Sequence, residues 1–141
     1  MKNKREYIRI IRDKLYNARS IMNVCMVASG SATLENACLG IPMVVMYKVS
    51  QISYLLAKIF VKIPNIALVN ILAGKRIVPE FVQGQINTAK IFGIIKNWLK
   101  NRGDCFEIKK ELCRVRERLG ESGASERAAK LILEELNNRS Q

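Results

Sequence analysis

Apolar positions along this chain follow two alternating rhythms. Val24 to Ala28 is a short apolar run that meets the small residues Ser29, Gly30 and Ser31, and a helical stretch opens at about Ala32. The stretch closes at Gly40, where Pro42 blocks continuation, and a second apolar run, Met43 to Tyr47, follows at once. Strand, small-residue loop, helix, tight turn and strand make half of a nucleotide-binding α/β unit.

The pattern continues less sharply. Ile66 to Val69 has strand character, the run Asn70 to Gly74 breaks it, and Pro79 with Glu80 suits the first turn of a helix reaching Gln83. Beyond Gln83 helical spacing dominates. Thr88 is expected to cap a helix with Ile91, Ile94, Ile95, Trp98 and Leu99 on one face. Asp104 is expected to begin another with Ile108, Leu112, Val115 and Leu119, ended by Gly120, and Ser125 to cap a last helix bearing Ala128, Ala129, Ile132 and Leu136. Trp98 at this spacing belongs to a core rather than to a sugar-stacking platform.

The loop after the first strand carries the most specific chemistry. Gly30 removes the Cβ that would hold a ligand off the backbone, Ser29 and Ser31 offer hydroxyls, and the N–H groups through Ala32 and Thr33 open the positive end of a helix. An anionic diphosphate fits such a place. Glu35 comes four residues after Ser31, one too many for a capping box, which leaves its carboxylate to accept from the two hydroxyls of a ribose. Small-residue turns of this kind also occur with no ligand, Ser31 then being a cap and Glu35 a solvated side chain. The loop is neither a Walker loop nor a GxGxxG fingerprint. Two further residues fall just past apolar segments, where α/β sheets collect ligands: Lys48, able to offset charge on a departing diphosphate, and Asn70, a candidate ligand group.

Composition narrows the chemistry. The 141 residues, 49% of them hydrophobic, suffice for one core, and the absence of histidine removes the commonest general base and zinc ligand together. Four cysteines, Cys25, Cys38, Cys105 and Cys113, form no C-x-x-C pair, so neither a metal site nor a disulfide is expected. Cys25 and Cys38 lie in apolar segments, as buried thiols do. No cofactor is implied. The longest uncharged stretch, Ser20 to Leu34, is too short to cross a bilayer, and no hydrophobic signal segment follows Met1, which favours a cytoplasmic location.

Net charge is +12, and its distribution separates two regions. Residues 1–19 carry seven Lys or Arg against Glu6 and Asp13, and Ile8, Ile11 and Leu15 recur at helical spacing, predicting a basic N-terminal helix ahead of a domain over 20–141. The segment from Lys48 to Arg76 holds Lys58, Lys62 and Lys75 with no Asp or Glu, interleaved with Tyr54, Phe60 and large aliphatics. Cationic and apolar together, it suits an anionic membrane surface or an acylated anionic substrate, with Lys58, Lys62, Tyr54 and Phe60 as the contacts. A solvated basic face over an ordinary buried stripe gives the same pattern. Nucleic acid is the weaker partner, because aromatics make up 6% of the chain and no RRM, KH or helix-turn-helix pattern is present.

Three ordered blocks, ASGSATLENACLGIPMVVMYKVS, IPNIALVNILAGKRIVPEFVQGQ and GASERAAKLILEEL, closely resemble the C-terminal half of bacterial lipid-A-disaccharide synthase, from about Met22 to Leu136. The resemblance implies a three-layer, Rossmann-like α/β domain with a parallel sheet, the second half of a two-domain GT-B glycosyltransferase. Such an enzyme transfers a hexosyl group, with inversion, from UDP-2,3-diacylglucosamine to 2,3-diacylglucosamine 1-phosphate. It also implies a donor-binding half peripheral at the inner membrane, with the acceptor site and acidic general base on an N-terminal domain. Two such domains need roughly 300 residues, so the resemblance leaves the chain as a fragment, a split-gene product or the relic of a decayed gene, with a separately encoded N-terminal half or a second copy as candidate partners. The family commonly has Arg at the position of Lys48, Pro at those of Gln51 and Val69, and Thr at those of Ser31 and Ser53. Lys in place of Arg keeps the charge but loses the bidentate fork. The reading from another class is a non-catalytic basic module at the membrane surface, retained after loss of a catalytic half; a nucleotide pocket separates the two.

Overall fold

The computed structural model describes residues 8, 10–12, 17–50, 54 and 64–139. A single helical turn, α1 (Asn17–Ser20), precedes β1 (Cys25–Ala28), α2 (Ser31–Cys38) and β2 (Met43–Tyr47). Then come α3 (Leu68–Ala73), β3 (Glu80–Val82), a 3-10 turn at Gln83–Gln85, α4 (Thr88–Lys100), α5 (Arg102–Leu119) and α6 (Ala124–Arg139). The expected basic helix over 1–19 falls largely outside the described residues; within it, Ile8 and Ile10 to Arg12 are exposed and non-helical, and α1 begins at Asn17.

Among the described residues the three strands are parallel, in the order β1-β2-β3, with Ala28 opposite Met46 and Tyr47 opposite Val82. Being central, β2 is apolar on both faces. Met43 and Val45 pack against Ala37 of α2, Val69 of α3, and Leu112 and Val115 of α5, whereas Val44 meets Phe81, Ile91 and Trp98 on the α4 side. Helices on both faces of a parallel sheet give the three-layer, Rossmann-like α/β architecture expected. Trp98 is core, 8% exposed, and Cys105 donates to its carbonyl oxygen at 3.2 Å. Burial raises the Cys105 thiol pKa, with Lys109 pulling it down and Asp104 pushing it up.

Several local expectations are corrected. The strand expected at Ile66 to Val69 is instead the approach to α3 at Ile66 and Ala67 and its first turn at Leu68 and Val69, and the helix expected from Pro79 and Glu80 is strand β3, which begins at Glu80. Apolar runs this short satisfy both periods, and pairing of Val45 with Glu80 and Met46 with Phe81 decides between them. The cap of α4 is Asn87, whose side chain accepts from the Lys90 N–H at 3.0 Å, rather than Thr88. Helix α5 starts at Arg102 rather than Asp104, and Ser125 lies inside α6 rather than capping it. Gly120 does end α5. Cys25 is half-buried and Cys38 exposed. Leu99 is exposed, as are Ile132 and Leu136 of α6, a helix with no buried residue.

Lys75, read from sequence as part of an unopposed basic segment, is paired: its Nζ lies 3.0 Å from Glu111 of α5, which also bonds Arg114. The Lys75 hydrogen bond holds the Glu111 carboxyl below its ordinary range, against desolvation, with Arg114 adding to the effect. Arg118 donates to the Leu72 carbonyl at 2.8 Å, tying α5 to the end of α3 a second time.

Candidate functional site

Parallel strands bring three strand ends to one edge of the sheet. The loop Ser29 to Ser31 leaves β1, Lys48 follows β2, and Gln83 follows β3. This carboxyl edge is where open α/β sheets place ligands.

Gly30 is the N-cap of α2, with φ 152° and ψ −164°, a region that other residues essentially do not enter. A Cβ there would meet nothing within 4 Å, so the glycine answers to the backbone turn, and open space lies above it. Its carbonyl accepts twice from Thr33, from the N–H at 3.0 Å and the hydroxyl at 2.7 Å. The N–H groups of Ser31 and Ala32 have no partner among the described residues. With the exposed Ser31 hydroxyl, they form a small donor set at the positive end of an eight-residue helix.

The structure divides the sequence-predicted residues into those that reach this edge and those the fold has used. Thr33 is fully buried and its hydroxyl closes the first turn, so it is not a ligand group. The Ser29 hydroxyl donates to the Ile66 carbonyl at 3.0 Å; its proton is committed to the loop rather than to an anion. The expectation of a free Glu35 carboxylate is corrected, since Oε2 takes the Arg19 guanidinium at 2.5 Å, both side chains being about one-third exposed at 33% and 34%. An ion pair so exposed contributes about 0–1 kcal/mol, small enough for a ligand to compete with. Lys48 is exposed, with no ion-pair partner among the described residues.

Asn70 is the clearest correction. It lies in α3, fully buried, and its amide is saturated. Oδ1 accepts from the N–H groups of Ile77 and Val78 at 2.9 and 3.0 Å, while Nδ2 donates to the Val78 carbonyl at 2.9 Å and to Glu80 Oε1 at 2.7 Å. Two acceptor sites and two donor hydrogens are all it has, so nothing remains for a ligand. Glu80, 6% exposed, also accepts from the N–H groups of Ile66 and Ala67 at 2.9 and 3.0 Å, ahead of α3.

Sequence reasoning missed Gln83. Its Oε1 accepts from the Val49 N–H at 3.2 Å and its Nε2 donates to the Val49 carbonyl at 2.9 Å, bracing the residue beside Lys48. At φ 49° it is the one non-glycine with positive φ among the described residues. No sequence signal announces such a conformation in glutamine.

Of the expected membrane contacts, Lys58, Phe60 and Lys62 lie outside the described residues; Tyr54 is half-buried, its N–H bonded to the Ser50 carbonyl at 3.0 Å. A groove of about 410 Å³, lined by Val24, Trp98, Leu99 and Phe106 together with Asn23 and Lys109, opens at the opposite end of β1 and is not part of this edge. Among the described residues no helix is long and apolar enough to cross a membrane.

Residues 2–135 match the profile of the lipid-A-disaccharide synthetase family. The chain belongs to that family. It is 42% identical over 126 residues to the lipid-A-disaccharide synthase of Syntrophus aciditrophicus, an overlap covering 89% of this chain and 33% of that protein. With the Geobacter metallireducens protein of the same name it shares 36% identity over 130 residues, 92% of this chain and 34% of the relative. No solved structure matches the chain. The chain therefore spans about a third of the length of the curated relatives it matches, less than the half expected from a two-domain estimate.

Proposed function

We propose that the chain is the donor-nucleotide half of a lipid-A-disaccharide synthase. It holds the UDP part of UDP-2,3-diacylglucosamine while the hexosyl group passes to 2,3-diacylglucosamine 1-phosphate. The observation that carries the reading is the donor set at the carboxyl edge of the sheet: unpartnered Ser31 and Ala32 N–H groups behind a glycine turn, with exposed Lys48 after the neighbouring strand. Anions gain there from the aligned helix dipoles and from charge-assisted hydrogen bonds. Glu35 takes the ribose hydroxyls by displacing Arg19. No residue of this chain is assigned a catalytic role, and the general base belongs to a domain outside it.

Calorimetric titration tests the reading. UDP should bind about tenfold more tightly than UMP, one charge-assisted hydrogen bond being worth about 1.5–3 kcal/mol, and Glu35→Ala should weaken both ligands alike. Equal affinities for UDP and UMP would remove the diphosphate from the loop.

The acid-free segment from Lys48 to Arg76, less the paired Lys75, supports a contact of the same domain with the cytoplasmic face of an anionic inner membrane. In sedimentation with phosphatidylglycerol vesicles, Lys58→Glu with Lys62→Glu should lower binding at least about 30-fold, from about 1 kcal/mol per lost cation near the surface before the added repulsion. Truncation of residues 1–16 should leave most of it. The opposite ranking would move the contact to the N-terminal segment.

A further inference from the structure

We propose that Glu80, the first residue of β3, and Gln83, the residue after its last, are positioning residues that hold the two sides of the anion site in register; this rests on the diphosphate reading above. The Ile66–Ala67 peptide is a rigid plane whose N–H and C=O point in opposite directions. Its N–H donates to Glu80 Oε1 at 3.0 Å and its C=O accepts from the Ser29 hydroxyl at 3.0 Å. One peptide plane is thus clamped between a buried carboxylate of β3 and the residue next to Gly30. A second bond, from the Ile66 N–H to Glu80 Oε2 at 2.9 Å, stops the plane from swinging.

Gln83 does the same for the other side. Its amide pairs with both backbone groups of Val49, at 3.2 and 2.9 Å, extending the β2–β3 ladder one step past the strands and fixing the chain beside Lys48. The positive φ of Gln83 is the cost of turning the side chain back to β2. Because Glu80 and Gln83 open and follow the same three-residue strand, the spacing between the Gly30 turn and Lys48 is set by β3. A ligand with two phosphoryl groups reads that spacing; a ligand with one does not.

The experiment compares Glu80→Gln, Gln83→Gly and the unaltered chain by UDP and UMP titration and by 15N relaxation without ligand. Glu80→Gln keeps the volume but turns an NH2 toward a backbone N–H. Gln83→Gly removes both Val49 bonds while accommodating the positive φ. Each should lower the UDP-to-UMP affinity ratio at least about threefold with UMP affinity unchanged, as expected for coupled neighbours. Order parameters should fall from about 0.85 toward 0.6 in one loop only: Ser29 to Ala32 in Glu80→Gln, Lys48 to Ser50 in Gln83→Gly. A role in general stability would move both ligands and both loops together, and that result overturns the proposal, as does an unchanged ratio with both loops rigid. Should Glu80→Gln fail to fold, Ser29→Ala breaks the same link at a half-buried position and should loosen Gly30 to Ala32. If the unaltered chain does not prefer UDP, the diphosphate reading fails, and the order parameters alone decide the positioning role.

Discussion

Asn70→Ala should destabilise the domain by about 3–5 kcal/mol, the range for breaking a buried polar network, and bring it close to unfolding. The truncation orphans the Ile77 and Val78 N–H groups and the Val78 carbonyl, and takes one of three donors from the Glu80 carboxylate. Each buried unsatisfied group costs about 1–3 kcal/mol, whereas a domain of this size has only about 5–15 kcal/mol in total. Asn70→Asp should cost a comparable amount, because it replaces the Nδ2 donor by an oxygen facing Glu80. Urea denaturation measures both. A ligand-contacting Asn70 would behave oppositely, with stability retained and UDP affinity lost.

No sugar transfer is expected from the chain alone, and transfer should appear when it is mixed with a polypeptide carrying the two thirds of a relative that it does not span. Inverting transfer needs a base within hydrogen-bond reach of the acceptor hydroxyl and stabilisation of the leaving diphosphate on the opposite side. The edge formed by Gly30, Ser31, Ala32 and Lys48 supports the second requirement only. With no histidine in the chain and Glu35 assigned to the ribose, the first is unmet, and the missing base alone costs about 10²–10⁴-fold in rate. The assay supplies UDP-2,3-diacylglucosamine with 2,3-diacylglucosamine 1-phosphate and follows disaccharide and UDP. Turnover by the isolated chain would overturn the division of labour; silence of the mixture with UDP binding intact would favour a decayed transfer site or incorrect assembly, and silence without UDP binding the non-catalytic membrane-surface module.

The first half of the sheet was legible because its local signals agree. Val24 to Ala28 and Met43 to Tyr47 are apolar runs bounded by Gly30, Gly40 and Pro42, and the helix between them is the expected one within a residue or so. Trp98 and the α5 stripe of Leu112 and Val115 were also legible, since helical spacing on a long element leaves one face for the core. From Ile66 to Gln83 the local signals conflict, and both elements were read the wrong way round. An isolated run such as Ile-Ala-Leu-Val has no period long enough to distinguish strand from helix.

Sequence by itself determined the α/β class, the Gly30 turn opening α2, the basic balance and, through three ordered blocks, the family. These depend on backbone preferences and on residue order, which are local properties of the chain. Only the tertiary structure decided which polar side chains are available. Ser29, Thr33, Glu35 and Asn70 all carry groups suited to a nucleotide, yet each has a partner in the fold, at Ile66, Gly30, Arg19 and the Val78–Glu80 network respectively. Those partners are 3, 8, 10, 16 or 37 residues away. These four side chains bond to the backbone or side-chain groups that the fold brings beside them, because leaving a buried polar group unsatisfied is costly.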